Sequence, residues 1–168
     1  MALQREQKGH LIEALKEAIS ASPSVVFVNF KGISVGDTSA MRRALREKHI
    51  SYKVAKKTLL RRALRDVKIS GEVPELPGEL AVAYSTGAEA KDDATKSARE
   101  MYSFVKRFKG GLSIMGGVFG GRYLGGLEMN EIASIPSLET LRGMFVNVIN
   151  APLQGLVIAL NEIAKQKV

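Results

Sequence analysis

An uncharged, largely apolar stretch near the C-terminus constrains the fold of this 168-residue chain more than any other feature. From Gly143 to Asn161 the sequence contains no Asp, Glu, Lys or Arg. Residues 137–168 are predicted to form one long helix, punctuated by Gly143, Pro152 and Gly155, and its apolar residues cover every direction around the axis. Such a helix has to be covered on more than one side, so a single neighbouring domain cannot bury it.

The same stretch approaches the length of about 20 apolar residues that a membrane-crossing helix needs. However, Asn147, Asn150, Pro152 and Gln154 lie near its middle, and polar groups there are unfavourable in hydrocarbon. We therefore expect the helix to contact protein and not a membrane. The first residues, MALQREQKGHLIEALKEAI, predict an amphipathic helix and lack the apolar core of a signal peptide.

A short pattern repeats within the predicted terminal helix. GMFVNV at 143–148 and GLVIAL at 155–160 are twelve residues apart, which is roughly 18 Å along a helix. Two similar apolar segments in tandem predict two copies of one partner, and a core helix with chance similarity is the alternative. The candidate partner-binding residues are Met144, Phe145, Val148, Ile149, Leu156, Val157, Leu160 and Ile163.

Positive charge is concentrated in a different part of the chain. The net charge is +8, and residues 42–68 alone contain eleven Lys or Arg against two acidic residues. Residues 1–70 carry a net charge of +9, whereas residues 71–168 carry −1. A block of this kind predicts a strong positive field at one place on the surface, and its commonest target is a phosphate backbone.

The most basic segment is predicted to be a helix from about Lys56 to Val67. Lys57, Arg61 and Arg65 recur every four residues on one face, and like charges at that spacing destabilise a free helix. Nucleic-acid binding is therefore favoured over a merely solvated face, and Thr58 in the first turn can offer its hydroxyl and free backbone N–H groups to a phosphate. The candidate RNA-binding residues are Lys8, Lys31, Gly32, Arg42, Arg43, Arg46, Lys53, Lys56, Lys57, Thr58, Arg61, Arg62 and Arg65.

RNA is a better target than DNA for this pattern. The sequence shows no recognition helix with base-reading side chains and no dimerisation zipper, whereas a broad basic face with loop glycines suits recognition of folded RNA by shape. The aromatic residues Phe27, Phe30 and Tyr52 occupy apolar strand positions. They are therefore predicted to lie in the core and not to stack on bases.

Strands alternate with helices over the first 135 residues, which predicts an α/β layered domain. The expected fold class is a mixed α/β domain of about four strands with flanking helices, residues 1–135, followed by a long, kinked C-terminal helix, residues 136–168. Predicted strands cover 25–30, 50–54, 80–84 and 112–119, and predicted helices cover 4–20, 34–48, 56–67, 88–108 and 129–134. The paired glycines around residues 110–126 are interpreted as turns.

The sequence offers no candidate catalytic site. The absence of cysteine excludes disulfides and thiolate chemistry and suits a reducing cytoplasm. His10 and His49 have no second ligand at metal-binding spacing, and the glycine pairs do not form a phosphate-binding loop. We therefore predict a protein that is not an enzyme and needs no metal or cofactor.

Several blocks of the sequence, in order, resemble a known family. They are NFKGISV at 29–35, MRRALR at 41–46, YKVAKKTLL at 52–60, IASIPS at 132–137 and APLQGLV at 151–157. These blocks are similar to those of the bacterial large-subunit ribosomal protein ten, the stalk-base protein family. The chain departs from that family in two places: Lys57 stands where the family usually has Asn, and Pro77-Gly78-Glu79 stands where it commonly has Gly-Pro-Thr.

The resemblance implies a non-catalytic, ribosome-bound scaffold in the cytoplasm. In that family the N-terminal domain grips large-subunit ribosomal RNA beside large-subunit protein eleven. The terminal helix carries dimers of the acidic stalk protein, numbered seven/twelve, which recruit the translational GTPases. Some members also bind their own messenger leader and limit their own synthesis.

The alternative is an RNA-binding assembly or turnover factor that shares the N-terminal fold and has no stalk. A paralogue without a stalk is expected to lack an apolar terminal helix, and this chain has one. The residues therefore favour the scaffold.

Overall fold

The computed structural model describes residues 5–67, 69–86, 93–108 and 110–166, with side chains from residue 9 to residue 165 within these ranges. The described elements, in chain order, are α1 (Arg5–Ala21), β1 (Ser24–Phe30), α2 (Val35–Glu47), β2 (Ile50–Val54), α3 (Lys57–Asp66), β3 (Leu80–Ser85), α4 (Lys96–Arg107), β4 (Leu112–Phe119), β5 (Arg122–Gly125), α5 (Gly126–Ser134) and α6 (Leu138–Gln166). They form two compact units that divide between Ile135 and Pro136.

The first unit is built on one sheet with the strand order β2-β3-β1-β4-β5. Every pairing in it is antiparallel. β1 is the central strand, and its residues from Ser24 to Val28 are all buried, as expected for a strand covered on both faces. β2 and β5 are the two edge strands.

The two faces of the sheet carry different helices. Along β1, Val25 and Phe27 point into the core shared with α1 and α3, whereas Val26 and Val28 point into the core shared with α2, α4 and α5. This alternation follows from the pleat of the strand. Consequently α2 and α3, which are separated in sequence by little more than β2, lie on opposite faces of the sheet.

The predicted fold class is confirmed, since the structure is mixed α/β with a long C-terminal helix. The structure adds a fifth strand, β5, which lies among the glycines that the sequence predicts to be turns. Gly120 and Gly121, with φ of 57° and 77°, make the tight turn that returns β4 into β5. In β4, a Cβ on Gly117 would lie 2.4 Å from the carbonyl oxygen of Val25, so this close strand contact requires glycine.

Three local features of the domain bear on the predicted elements. Ser34 caps α2, with its Oγ accepting a hydrogen bond of 3.1 Å from the backbone N–H of Asp37. Phe27 is buried, and Phe30 and Tyr52 pack partly buried against the core. The helix predicted over 88–108 is found as α4 from Lys96, and residues 87–92 lie outside the described part of the chain.

The second unit contains α6, a helix of 29 residues with Pro152 inside it. Every side chain described from Leu138 to Lys165 is exposed, including Phe145 at 68% and Val148 at 70%. The long terminal helix is therefore confirmed, and its apolar surface has no covering within the described residues.

Candidate nucleic-acid interface and apolar helix

The first group of basic side chains lies on α2. Met41 and Leu45 on the inner side of this helix are buried in the core. Because these two residues lie on one face of the helix, the opposite face is in contact with solvent. Arg42, Arg43 and Arg46 are all exposed.

The edge strand β2 places basic groups on both faces of the sheet. Tyr52 faces the α2 side, and Cζ of Arg42 lies 5.6 Å from the centroid of its ring. Lys53, the next residue, faces the other side, with its Nζ 5.6 Å from the ring centroid of Tyr84. Burial raises the pKa of Tyr52 to about 12, although the positive charge of Arg42 acts in the opposite direction.

The second group of arginines lies on α3. Leu60, Ala63 and Leu64 are buried in the core shared with α1, which leaves the remaining face of the helix to solvent. The exposed cations of α2, β2 and α3, together with the N-cap residue Lys56 and the half-buried Lys57, form what we call the basic band. Its members are Arg42, Arg43, Arg46, Lys53, Lys56, Lys57, Arg61, Arg62 and Arg65.

The charge of the basic band is not neutralised inside the domain. Asp66, at the end of α3, pairs with Lys16 of α1, and Lys48, just outside the band, pairs with Glu100 of α4 at 2.6 Å. No ion pair involves a member of the band over the described ranges. The nine cations are therefore available to an external polyanion.

A cleft of about 600 Å³ lies at the N-terminus of α3. Its lining residues are Phe30, Val54, Ala55, Lys56, Lys57, Thr58, Gly78, Glu79 and Leu80. The N-cap residue Lys56 makes no side-chain capping hydrogen bond, and the first turn contains no acidic residue. Since uncapped N–H groups and the helix dipole attract anions, the start of α3 adds to the positive potential of this cleft.

The loop before β3 closes one side of this cleft. Nδ2 of Asn29 donates a hydrogen bond of 3.1 Å to the carbonyl oxygen of Pro77. Gly78 has φ of 72°, and a Cβ there would lie 2.5 Å from the same nitrogen. Pro77 and Gly78 thus form a turn, with Gly78 in the left-handed region, that packs on Asn29. Oδ1 of Asn29 is buried and accepts no hydrogen bond from the described residues.

The remaining predicted RNA-binding residues lie at the end of β1 and on α1. Lys31 is exposed beside Phe30, and its backbone N–H donates to the carbonyl oxygen of Gly111 at 2.8 Å. Gly32 follows with φ of 78°. Lys8 belongs to α1, and its side chain lies outside the described residues.

The expectation of positive charge at a single place on the surface needs correction. The arginines of α2 and those of α3 are on opposite faces of the sheet, because these helices pack into the two separate cores. A block that is continuous in sequence therefore reaches both faces of the sheet, with the edge strand β2 between its two groups of arginines.

Sequence reasoning also missed two exposed cations at the end of α4. Nζ of Lys106 lies 4.5 Å from the ring centroid of Tyr102, and Cζ of Arg107 lies 5.8 Å from that of Phe108. Both cations line a depression that also includes Gly32. The signal in the sequence is the basic pair Lys106-Arg107, separated by two residues from the double glycine at 110–111.

The eight candidate partner-binding residues on α6 are all exposed, from 49% for Met144 to 70% for Val148. Twelve residues correspond to a rotation of about 120° and a rise of roughly 18 Å, so the two repeated segments face different directions around an ideal helix. By length and composition alone, α6 could also cross a membrane. Within the described part of the chain, no cluster of His, Cys, Asp and Glu suited to a metal ion occurs.

These features define a class of protein, one that combines an α/β domain carrying unneutralised basic helices with an exposed apolar helix. Comparison with known proteins identifies the family within that class. The family model "Ribosomal protein L10" matches residues 3–106, more than half of the chain. The chain therefore belongs to the ribosomal protein L10 family. It is a structural protein of the large ribosomal subunit and not an enzyme.

Curated relatives match along nearly the whole chain. The large ribosomal subunit protein uL10 of Bacillus licheniformis is 31% identical over 96% of this chain and 94% of its own length. The uL10 proteins of Staphylococcus aureus and Lactobacillus acidophilus are each 33% identical over 96% of this chain, covering 94% and 92% of their own lengths. At 96% coverage of this chain, the shared length includes most of the basic domain and most of α6.

Proposed function

We propose that this protein forms the base of the large-subunit stalk. In this proposal residues 1–135 are a domain that binds large-subunit ribosomal RNA, and residues 136–168 are a helix that carries dimers of the acidic stalk protein. The observation that supports it best is the separation of surface types, with unneutralised cations on the first unit and uncovered apolar side chains on the second.

The RNA-binding part of the proposal rests on the basic band and the α3 cleft. Arg61, Arg62 and Arg65 are exposed, and arginine makes planar, bidentate contacts with phosphate that lysine cannot make. Lys57 and Thr58 line the cleft where the first-turn N–H groups of α3 open. Release of counterions from the RNA supplies the free energy for contacts of this kind.

The stalk-binding part rests on α6. Burying the three apolar residues Phe145, Val148 and Ile149 offers about 5–9 kcal/mol before the costs of association are subtracted. Binding of an amphipathic or apolar helix in a hydrophobic groove is a common recognition mode. A protein partner also accounts for an apolar surface that would otherwise promote aggregation.

The repeated segments of α6 support two stalk dimers. One dimer would bind near Met144–Asn150 and the other near Leu156–Ala164, in the two copies of the twelve-residue pattern. Their rotation of about 120° directs the two dimers to different sides of the helix. Pro152 lies between them and lacks the backbone N–H that would donate a helical hydrogen bond. A bend of the helix at this residue would change the direction of the second segment.

The wider role follows from the resemblance to the family. The protein would lie beside large-subunit protein eleven in cytoplasmic ribosomes and would support recruitment of translational GTPases through the stalk. The same basic band would serve for binding to its own messenger leader. An assembly or turnover factor without a stalk is disfavoured, because it would have no use for the exposed apolar helix.

Sedimentation of ribosomal particles tests the proposal. The full-length chain is expressed in cells and its distribution is measured in sucrose gradients at low and high salt, beside the Arg61→Glu/Arg62→Glu variant. We expect the unmodified chain in the large-subunit fractions at low salt and the variant mostly in the unbound fraction. An unmodified chain that never sediments with large subunits would contradict the proposal.

A further inference from the structure

The edge strand β2 separates two groups of arginines that are adjacent in sequence. Within the described residues β2 pairs only with β3, so its other side has no strand beside it. α2 precedes β2 and packs on one face of the sheet, whereas α3 follows β2 and packs on the other. The basic band therefore runs from one face, around the sheet edge, to the opposite face.

The side chains of β2 make the band continuous across the edge. Tyr52 points toward the α2 side and lies beneath Arg42, whose Cζ is 5.6 Å from the ring centroid. Lys53 points toward the α1 and α3 side and lies near Tyr84. Successive side chains of a strand point to opposite faces of the sheet. Each face of β2 therefore has a cation beside it, Arg42 on one face and Lys53 on the other.

The distance between the two groups of arginines limits how RNA can reach them. Packed layers of secondary structure lie roughly 10 Å apart, so α2 and α3 are separated by on the order of 20 Å with the sheet between them. Arg42 lies against Tyr52 at the sheet edge, whereas the other arginines of both helices are exposed on helices whose inner faces are buried. One flat RNA surface therefore cannot lie against the outer sides of both helices at once.

We infer that RNA contacts this domain through two separate backbone segments, one on each side of the β2 edge. One segment follows Arg42, Arg43 and Arg46, and the other follows Arg61, Arg62 and Arg65. The inference rests on the proposed RNA-binding function and adds the class of RNA that fits it. The target is a folded RNA with two backbones that flank a cleft, and not the side of a single helix.

Tethered cleavage tests this geometry directly. The chain contains no cysteine, so single-cysteine variants Ser39→Cys on α2 and Arg65→Cys on α3 can each carry an iron–EDTA probe. Both positions are exposed, and Ser39 lines a depression with the α2 arginines. Arg122→Cys on β5, the opposite edge strand, is the matched control. Each labelled full-length chain is bound to large-subunit ribosomal RNA, and the cut nucleotides are mapped.

We expect the Ser39 and Arg65 probes to cut two sets of nucleotides that are separate in the RNA sequence, and the Arg122 probe to cut neither set. Coincident sets, one contiguous stretch, or cuts from only one of the two helices would overturn the inference. If the unlabelled full-length chain does not bind this RNA at all, the proposed function fails together with the inference.

Charge reversal provides a second readout. Arg43→Glu and Arg62→Glu should each weaken RNA binding by about tenfold or more. Because they lie on opposite faces, the two losses should multiply in the double variant. In nucleotide footprints, each variant should lose protection of a different segment. Arg122→Glu should change affinity by less than about twofold, since it lies at the far edge. A double variant no weaker than the worse single variant would contradict two independent contacts.

Discussion

The guanidinium of Arg42 lies over the ring of Tyr52, with its Cζ 5.6 Å from the ring centroid. This contact joins α2 to the edge strand β2 and places a positive charge above a partly buried phenol. The two residues therefore link the electrostatics of the basic band to the packing of the core beneath it.

The first prediction follows from the pKa of Tyr52, which burial raises from its ordinary value of 10.0 to about 12. Between these values the unfolded chain has released its phenolic proton while the folded chain retains it. The contribution of Tyr52 to the free energy of unfolding is thus complete below about pH 10 and is lost as the pH rises toward 12. Tyr52→Phe should therefore lose less stability than the unmodified protein over this pH interval, measured by urea unfolding.

Arg42→Ala provides a further check, because Arg42 lowers the pKa of Tyr52. The phenol should titrate at higher pH in this variant, whereas Arg43→Ala, without a contact to the ring, should leave it unchanged. An identical ultraviolet titration for all three proteins would show that the Arg42 charge does not act on Tyr52.

The second prediction concerns RNA affinity. Arg61→Glu/Arg62→Glu should weaken binding to large-subunit ribosomal RNA by about 2 kcal/mol or more, given about 1.5–3 kcal/mol for each charged hydrogen bond. The affinity of the unmodified chain should also fall steeply with salt. A filter-binding titration at several salt concentrations measures both effects. The control variant Arg122→Glu/Lys165→Glu makes the same change in net charge outside the basic band and should bind RNA nearly normally. If both double variants lost the same RNA affinity, the loss would reflect only the general charge of the protein.

The third prediction concerns α6. Deleting residues 137–168 should raise the solubility of the isolated protein, because the deletion removes an exposed apolar surface. Since these residues lie outside the first compact unit, the melting temperature of the remainder and its RNA affinity should be nearly unchanged. Light scattering, calorimetry and RNA titration measure the three properties. An unfolded product would mean that α6 contributes to the core of the first unit.

The fourth prediction is the number of stalk proteins on α6. Native mass spectrometry of the reconstituted complex should show four copies, as two dimers. Truncation after Gln154 removes the second repeated segment and should leave two copies. Six copies on the full chain, or four on the truncated chain, would contradict the assignment of one dimer to each segment.

The fifth prediction concerns the contact between β1 and β4. Gly117→Ala should lower the free energy of unfolding by about 1–3 kcal/mol, because its Cβ would lie 2.4 Å from the carbonyl oxygen of Val25. Gly36→Ala on α2 is the matched control, since its Cβ would meet only Oγ of Ser34 at 3.8 Å. That change should be neutral or stabilising by less than about 1 kcal/mol. Chemical denaturation of both variants measures their free energies of unfolding. Equal values would show that β1 and β4 can accommodate the added methyl group without a loss of stability.

Local patterns in the sequence were sufficient to predict most helices and strands. The apolar run of β1 and the four-residue spacing of Lys57, Arg61 and Arg65 on α3 both depend on residues within a few positions of each other. The strand β5 escaped prediction because it is only four residues long and lies between glycines. Leu76 is buried in the core although it belongs to a loop rich in Pro and Gly. Its burial depends on contacts with residues distant in the sequence.

The sequence by itself determined which side of each basic helix is charged and which is apolar, because helical periodicity is a local property. It also determined that α6 is apolar in every direction. Only the tertiary structure decided that Arg43 and Arg62 lie on opposite faces of one sheet. That outcome depends on the strand order, which places β2 at an edge, and on the packing of α2 and α3 into two different cores. Strand order is set by pairing between distant segments, and no local pattern records it.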